Sequence, residues 1–283
     1  MSFSKHFIVV SILMLALALV VTGCSQPAPQ QDSNEAGSVE APSEPLSWDR
    51  IKEKGKIVVG LDDAFPPFGF RNDKNELIGF DIDLGNALAK KLGVEIEWQP
   101  AEWSGIIMSL KTKKFDAIWS GMSVTPEREK EVNFTTPYIG SAQVIILASD
   151  NGDIEGPEDL EGKIVGTQLG STGEVACGKL QGLKELKTFD VFTEAINDLT
   201  TGRLDAVVID DITARYYLQQ QPDAFKILED ILSYEPMAIA VRKEDAALQG
   251  VLNEVINNMV RDGTYKAISE EWFGEDMSQY LDK

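Results

Sequence analysis

The chain has 283 residues, of which 43% are hydrophobic and 25% are charged, and its formal net charge is −20. This length and composition are typical of one large globular domain or two ordinary ones. The acidic balance argues against nucleic-acid binding, which requires a basic face, and against adhesion to anionic lipid.

The first residues predict an export signal rather than part of the fold. A cation, Lys5, precedes an apolar run over residues 7–21, and small residues separate this run from Cys24. The run is short for a transmembrane helix and is charged at one end only, which is typical of signal peptides. The VTGC sequence at residues 21–24 resembles the lipobox of bacterial lipoproteins, in which the cysteine becomes the lipid-carrying mature N-terminus. An ordinary secretory signal that ends near a cysteine is the alternative.

The lipobox resemblance implies a signal peptide at residues 1–23 and a lipid anchor, such as palmitate, on Cys24. Residues 24–46 are rich in Pro, Ser, Gln and Glu and cannot bury a core, so we predict a disordered tether. The expected product is extracytoplasmic and lipid-anchored to the cell membrane. Loss of the signal removes His6, the single histidine. Cys177 then has no disulfide partner, and we interpret it as a buried apolar residue rather than a reactive thiol.

Short strands and helices alternate after the tether. The KIVVGL sequence at residues 56–61 predicts a strand, and the next segment predicts a hairpin with its turn at residues 72–73. An apolar stripe then predicts a helix that Asp81 or Asp83 caps and that Gly93 ends. Such alternation indicates a mostly parallel sheet with helices on both faces.

The following segments continue this pattern. VEIEW and FDAIWSG predict strands, and between them Ser104 is expected to cap a helix that runs through Leu110. Thr125 and Pro126 predict the start of a short helix, because threonine caps free amides and proline fits the first helical position. Arg128 falls in the first turn, where the helix macrodipole disfavours a cation by roughly 0.3–1 kcal/mol. We therefore expect Arg128 to have a partner outside its helix.

A second, weaker copy of the pattern follows. In each copy a GKIV strand precedes a strand that contains Asp-Ala, at Asp116 in the first copy and at Asp205 in the second. Two similar α/β lobes are therefore predicted rather than one large sheet. Two helices end the chain, and Gly263 separates them.

Six segments carry a resemblance to the extracellular solute-binding proteins of polar amino-acid ABC transporters. They are GFDIDLGNALAKKLG, WSGIIMSLKTKKFDAIWSGMSVTPERE, FTTPYI, GKIVGTQLGSTGE, RLDAVVIDD and DGTYKAISEEWFG, in that order. The resemblance implies a periplasmic-binding-protein-like α/β fold of type II, with two lobes joined by a two-strand hinge. The hinge strands are expected near residues 141–148 and 236–243.

The same resemblance implies a division of the chain and a function. Lobe 1 is expected over residues 47–142 and 237–283, and lobe 2 over residues 143–236. The protein is expected to be a monomer that captures an amino acid and delivers it to ABC permease subunits. No catalytic residue, metal, cofactor or nucleic-acid partner is implied.

By this resemblance, Arg128 binds the ligand α-carboxylate with a planar, bidentate guanidinium, helped by Ser123 and Thr172. Composition alone would place Arg128 in a solvated face of charged residues, and the strand–turn–helix context together with the family match favours the binding role.

The ligand ammonium is expected to meet Gly121 and Asp210, and Ser120 is expected among the ligand-binding residues. Glycine lets the backbone come close, so that the Gly121 carbonyl can accept from the ammonium, and Asp210 matches the family's ammonium-binding acid. Asp211 could take this role instead, and we interpret it as the cap of the following helix. Trp119, beside Ser120, is equally compatible with the cleft and with the core.

Four further residues match positions that contact the ligand side chain in the family: Asp62, Phe65, Trp103 and Gln168. A carboxylate at residue 62 favours a hydrogen-bond donor, and two aromatic rings can hold a flat or cationic group. A basic or amide-bearing L-amino acid is predicted, with arginine or lysine ahead of glutamine and cystine third. If Asp63 faces inward instead, or both carboxylates face water, this preference disappears.

Two functions from other classes are alternatives. Small-carboxylic-acid dehydratases share the fold, but a mature chain without histidine has only carboxylates or lysines as general acid or base. A sensor ectodomain would need a membrane span towards a signalling domain, and no segment after Cys24 is long and apolar enough.

Overall fold

The computed structural model describes residues 47–280. The predicted signal peptide, the lipidation of Cys24 and the tether at residues 24–46 lie outside this part of the chain. Within residues 47–280, no helix combines the length and the apolar composition that crossing a bilayer requires.

The first half of the described chain builds most of one sheet and its helices. In order, its elements are α1 (Ser47–Lys54), β1 (Lys56–Leu61), β2 (Ala64–Phe65), β3 (Gly69–Arg71), β4 (Leu77–Ile78), α2 (Phe80–Leu92), β5 (Glu95–Pro100), a 3-10 turn (Trp103–Gly105), α3 (Ile106–Lys111), β6 (Ala117–Ile118), α4 (Pro126–Glu131) and β7 (Asn133–Phe134).

The second half builds another sheet and then returns to the first. Its elements are β8 (Ile139–Ala148), a 3-10 turn (Pro157–Leu160), β9 (Ile164–Gln168), α5 (Thr172–Cys177), β10 (Glu185–Phe189), α6 (Phe192–Thr200), β11 (Ala206–Asp210), α7 (Asp211–Gln220), β12 (Phe225–Ile227), β13 (Ser233–Met237), β14 (Ala240–Val241), α8 (Ala246–Arg261), α9 (Thr264–Phe273) and a 3-10 turn (Met277–Tyr280).

The two larger sheets form two lobes, and the short strands β2, β3 and β4 form a separate three-stranded sheet. The first sheet has the order β5-β1-β6-β14-β7, and the second has the order β10-β9-β11-β8-β12, with β13 also on β8. We call the part around the first sheet lobe 1 and the part around the second sheet lobe 2. In lobe 1, β1 is parallel to β5 and β6. In lobe 2, β9 is parallel to β10 and β11. The carboxyl ends of these parallel strands are where ligands bind in such folds.

Apolar side chains cover both faces of each sheet. In lobe 1, Leu84 of α2 and Leu252 of α8 belong to the core on one face, and Ile106 of α3 belongs to the core on the other. In lobe 2, Phe192 of α6 and Cys177 of α5 lie on opposite faces. Burial raises the pKa of the Cys177 thiol to about 12, so at neutral pH it is a protonated, apolar core residue.

Two strands connect the lobes. The start of β8 pairs antiparallel with β13, with Ile139 opposite Met237 and Gln143 opposite Ser233. The rest of β8 continues into the second sheet, and the chain after β13 returns to the first sheet as β14. The expected lobe boundaries, at residues 142–143 and 236–237, fall within this ribbon.

Several local predictions are confirmed. The hairpin turn lies between the antiparallel strands β3 and β4, and Gly93 ends α2 in the left-handed conformation. The Thr125 hydroxyl accepts from the Arg128 amide at 3.2 Å, with Pro126 as the first residue of α4.

Three predicted helix caps are wrong. The N-cap of α2 is Gly79 and that of α3 is Gly105, so neither Asp81, Asp83 nor Ser104 caps a helix. The N-cap of α7 is Asp210, while Asp211 is the first helical residue. The Asp211 carboxylate accepts instead from the Ser141 hydroxyl and the Ala142 amide on β8. Asp81, Asp83 and Asp211 are held by tertiary hydrogen bonds rather than by local capping. Ser104 is exposed and lies within the 3-10 turn that precedes α3.

Candidate functional site

The carboxyl ends of strands from both lobes meet at one cleft. Ten residues line its central cavity: Phe65, Trp103, Gly121, Ser123, Arg128, Gln168, Ser171, Thr172, Phe192 and Asp210. Eight of them were predicted from the sequence as ligand-binding residues. The other two predicted residues lie beside the cavity: Asp62 bonds to Gln168, and the buried Ser120 hydroxyl accepts from the Asp62 amide at 3.0 Å.

The guanidinium of Arg128 points away from its own helix and into the cleft. One terminal nitrogen donates to the Ser123 carbonyl at 2.9 Å, and the other donates to the Gly170 carbonyl of lobe 2 at 3.3 Å. Its carbon lies 5.3 Å from the centre of the Trp103 ring, within cation–π distance. Burial lowers the pKa of Arg128, opposed by the charges of Glu235 and Asp210. These contacts hold a desolvated, fork-shaped cation where a carboxylate can meet it.

A buried acid lies across the cleft from this cation. Asp210 is 5% exposed and accepts from the Gln143 side-chain amide at 2.9 Å. Burial raises the pKa of Asp210 to about 8, and the charges of Glu235 and Asp211 add to this, while Arg128 opposes it. A buried carboxylate with a raised pKa gains most from a cationic ligand group beside it.

The backbone approaches the cavity closely at Gly121. This residue has a φ of +53°, and a Cβ there would lie 2.8 Å from the Phe65 ring and 3.1 Å from the Phe68 ring. Only glycine fits such a position without strain.

At the other end of the cavity, Asp62 faces lobe 2. It is 5% exposed, and its carboxylate accepts from the Ala64 amide at 2.9 Å and from the Gln168 side chain at 2.7 Å. Burial raises the pKa of Asp62, and its two hydrogen bonds counteract this rise. The Asp63 carboxylate instead pairs with Arg71 at 2.6 Å. The structure therefore turns Asp62, and not Asp63, towards Gln168.

An acidic cavity of about 160 Å³ adjoins this end of the cleft, and Trp103 borders both cavities. Asp62, Asp63, Glu102 and Asp190 are among its lining residues. Four carboxylates around a small space produce a local negative potential, which attracts cationic groups.

Aromatic rings form the apolar wall of the cleft. Phe65 stacks on Phe68 with ring centroids 5.2 Å apart, and on Phe192 of lobe 2 at 5.7 Å. Trp119, which the sequence left undecided, is 2% exposed and packs edge-on against Tyr138 in the lobe 1 core.

Sequence reasoning missed two lining residues. Ser171 lies in the quoted LGSTGE segment and caps α5 by accepting from the Glu174 amide. Phe192 follows a strand end, as Phe65 does, and this placement was the available signal.

Three polar contacts cross the cleft between the lobes in the described part of the chain, in addition to the ring contact of Phe65 with Phe192. Besides the Asp62–Gln168 and Arg128–Gly170 hydrogen bonds, the hydroxyls of Ser123 and Thr172 lie 3.4 Å apart. The described arrangement is therefore one in which the lobes touch at both ends of the cavity.

The sequence profile of the bacterial extracellular solute-binding proteins, family 3, matches residues 57–275. The L-cystine-binding protein TcyJ of Escherichia coli K12 is 34% identical over 232 residues, covering 81% of this chain and 87% of its own length. The ABC transporter arginine-binding protein 1 of the same organism is 35% identical over 222 residues, covering 77% and 90%.

A solved structure of an ancestral arginine-binding protein bound to glutamine is also similar. It is 44% identical, with a TM-score of 0.75, and the match covers 78% of this chain and 99% of that protein.

Proposed function

Because this chain belongs to the bacterial extracellular solute-binding proteins of family 3, we propose that it captures a polar or basic L-amino acid for an ABC importer. The observation that carries this proposal is the pairing of a half-buried arginine, Arg128, with a buried carboxylate, Asp210, in one cavity between the lobes. Arg128 would bind the ligand α-carboxylate, with Ser123 and Thr172 beside it. Asp210 would bind the ammonium, with the backbone at Ser120 and Gly121.

The family and the curated relatives are binding proteins and not enzymes. The dehydratase alternative therefore has no support beyond a shared fold. Closure of the two lobes on the ligand would present one complete surface to the permease.

The side-chain preference is argued from charge. Asp62 and the adjoining acidic cavity favour a ligand that ends in a guanidinium, an ammonium or an amide, with Phe65 and Trp103 on either side. The relatives named for arginine and cystine, and the ancestral protein bound to glutamine, support this class of ligand. Arginine or lysine is proposed first, then glutamine, then cystine.

The place of action is part of the proposal. The family works outside the cytoplasm, and we propose that lipid on Cys24 holds this chain at the cell membrane as a monomer. The proposed lobes are residues 47–142 with 237–283, and residues 143–236, which fits the ribbon that joins the two sheets.

A thermal-shift screen tests the ligand class. The ligands are the twenty amino acids with ornithine, citrulline and cystine, and a ligand at 100 times its Kd stabilises the fold by roughly 2.7 kcal/mol. We expect the largest rise in Tm with arginine, lysine or glutamine, and no rise for these ligands in Arg128→Ala. If no amino acid shifts Tm, the binding function is wrong. If glutamate or a branched aliphatic amino acid binds most tightly, the side-chain assignment is wrong.

A further inference from the structure

A carboxylate lies buried directly behind the ligand-binding backbone of lobe 1. Asp81, in the first turn of α2, is 1% exposed. One of its oxygens accepts from the Gly121 amide at 2.8 Å and from the Tyr138 hydroxyl at 2.9 Å. The indole N–H of Trp119 lies near the carboxylate and favours its charged form without completing a hydrogen bond, and all three groups are neutral.

Fold stability alone does not explain this carboxylate. The second oxygen of Asp81 is buried without a hydrogen-bond partner, and so is the indole nitrogen of Trp119. A buried polar atom without a partner costs free energy, and apolar residues of similar size usually serve a core as well or better. Its value to the molecule therefore has to come from what it holds.

The group that Asp81 holds is the Ser120–Gly121 peptide at the edge of the ligand cavity. Gly121 lines the ligand cavity, and its N–H donates inward to Asp81. This bond fixes the backbone from which the Gly121 carbonyl projects. In the low-dielectric interior, the negative charge of Asp81 also favours a cation beside that backbone.

We propose that Asp81 is a positioning residue for the ligand ammonium: through the Gly121 amide it orients the backbone whose Gly121 carbonyl the ammonium would meet, and its charge favours the ammonium there. This inference rests on the proposed amino-acid-binding function and extends it to a residue that does not touch the ligand. It makes a chemical distinction, because the effect of Asp81 should reach the α-ammonium and not the α-carboxylate, which Arg128 binds.

The ionisation of Asp81 allows a second test, by pH. Burial raises its pKa to about 7, and the donors Tyr138, Gly121 and Trp119 oppose this rise. The titratable groups that face it are the hydroxyls of Tyr138 and of Tyr265 on α9. Loss of the Tyr138 hydroxyl removes a donor to the charged form, so it should raise the pKa of Asp81 further.

The test compares two ligands that differ only in the ammonium. L-arginine and its desamino analogue 5-guanidinopentanoate are titrated calorimetrically into the wild type and Asp81→Asn, which keeps size and one acceptor but removes the charge. We expect Asp81→Asn to weaken arginine binding about tenfold, on the scale of one charge-assisted hydrogen bond, and to leave the analogue within twofold. Equal losses for both ligands, or no loss for arginine, would overturn the proposal.

Tyr138→Phe provides an independent variant if Asp81→Asn does not fold. The Kd of Tyr138→Phe divided by the Kd of the wild type should be raised for arginine, and not for the analogue, at pH 7. At pH 9, where Asp81 is charged in both proteins, this ratio should fall towards one. Taking the ratio at each pH cancels the titration of Asp210. A ratio that does not change with pH would contradict the role of the Asp81 charge.

The design separates this inference from the function on which it rests. L-glutamine and its desamino analogue replace the arginine pair if the wild type does not bind arginine. A wild type that binds no amino acid refutes the proposed function, whereas a wild type that binds and a variant without selective loss refute only the positioning role.

Discussion

Replacing Arg128 by alanine removes the cation on which the proposed carboxylate site depends. The side chain makes two hydrogen bonds, one to the Ser123 carbonyl and one across the cleft to the Gly170 carbonyl, and lies over Trp103. The alanine variant therefore loses the partner of the ligand carboxylate and one contact between the lobes.

The size of the loss follows from desolvation. Burial lowers the pKa of Arg128, so its charge is poorly screened by water. Truncating one partner of such a buried, hydrogen-bonded charge pair costs roughly 2–5 kcal/mol. The expected increase in Kd is therefore tens- to thousands-fold, since about 1.4 kcal/mol is tenfold. Arg128→Lys should fall between wild type and alanine, because lysine keeps the charge without the planar fork.

Isothermal titration calorimetry with L-arginine measures this loss. Arg203→Ala is the matched control, because Arg203 is an exposed arginine that pairs with Asp198 on α6, and its removal should leave Kd unchanged. Binding by Arg128→Ala within about threefold of the wild type would refute the carboxylate assignment.

Three further outcomes are expected. Asp62→Asn should reduce the ratio of arginine to glutamine affinity, because the amide removes the charge that favours a cationic side chain. Competition calorimetry measures this ratio, and an unchanged ratio would show that Asp62 has only a structural role. Burial raises the pKa of Asp81 to about 7 and of Asp210 to about 8, above the value of about 4 in an unfolded chain. Their contribution to the free energy of unfolding is therefore full below about pH 4 and is lost as the pH rises to 7 and 8. In melting curves without ligand, Asp210→Asn should accordingly lose less Tm than the wild type between pH 5 and pH 8, and an identical pH slope would contradict this. Cys24→Ala should abolish metabolic lipid labelling and release the chain from membranes, and a wild type that partitions into the aqueous phase of a detergent extract would contradict the anchor.

The site residues at strand ends were predictable, because a hydrophobic strand and the glycine-rich turn that follows it are both recognisable from a short stretch of sequence. Arg128 was recognisable because its charge is unfavourable in its own helix, and its partners proved to lie outside that helix, at Ser123 and Gly170. The inward direction of Asp62 was not predictable, since alternation could not choose between it and Asp63. The ion pair of Asp63 with Arg71 and the bond of Asp62 to Gln168 are both tertiary.

The failed aspartate caps have the same cause. Asp81 or Asp83 was predicted to cap α2 because aspartate often does so, yet the Asp81 carboxylate turns into the core and holds Gly121. Phe192 reaches the cavity only because lobe 2 packs against Phe65 of lobe 1. Contacts between lobes depend on the relative placement of two sheets, which no local pattern contains.

The position of Trp103 has an optical consequence. Its indole forms a wall of the ligand cavity and has the Arg128 guanidinium over its face. Indole emission responds to the charge and the solvent beside the ring. A ligand whose carboxylate pairs with Arg128 should therefore change the intensity and the wavelength of the Trp103 emission. The unlabelled protein would thus act as its own fluorescent sensor for the amino acid it binds.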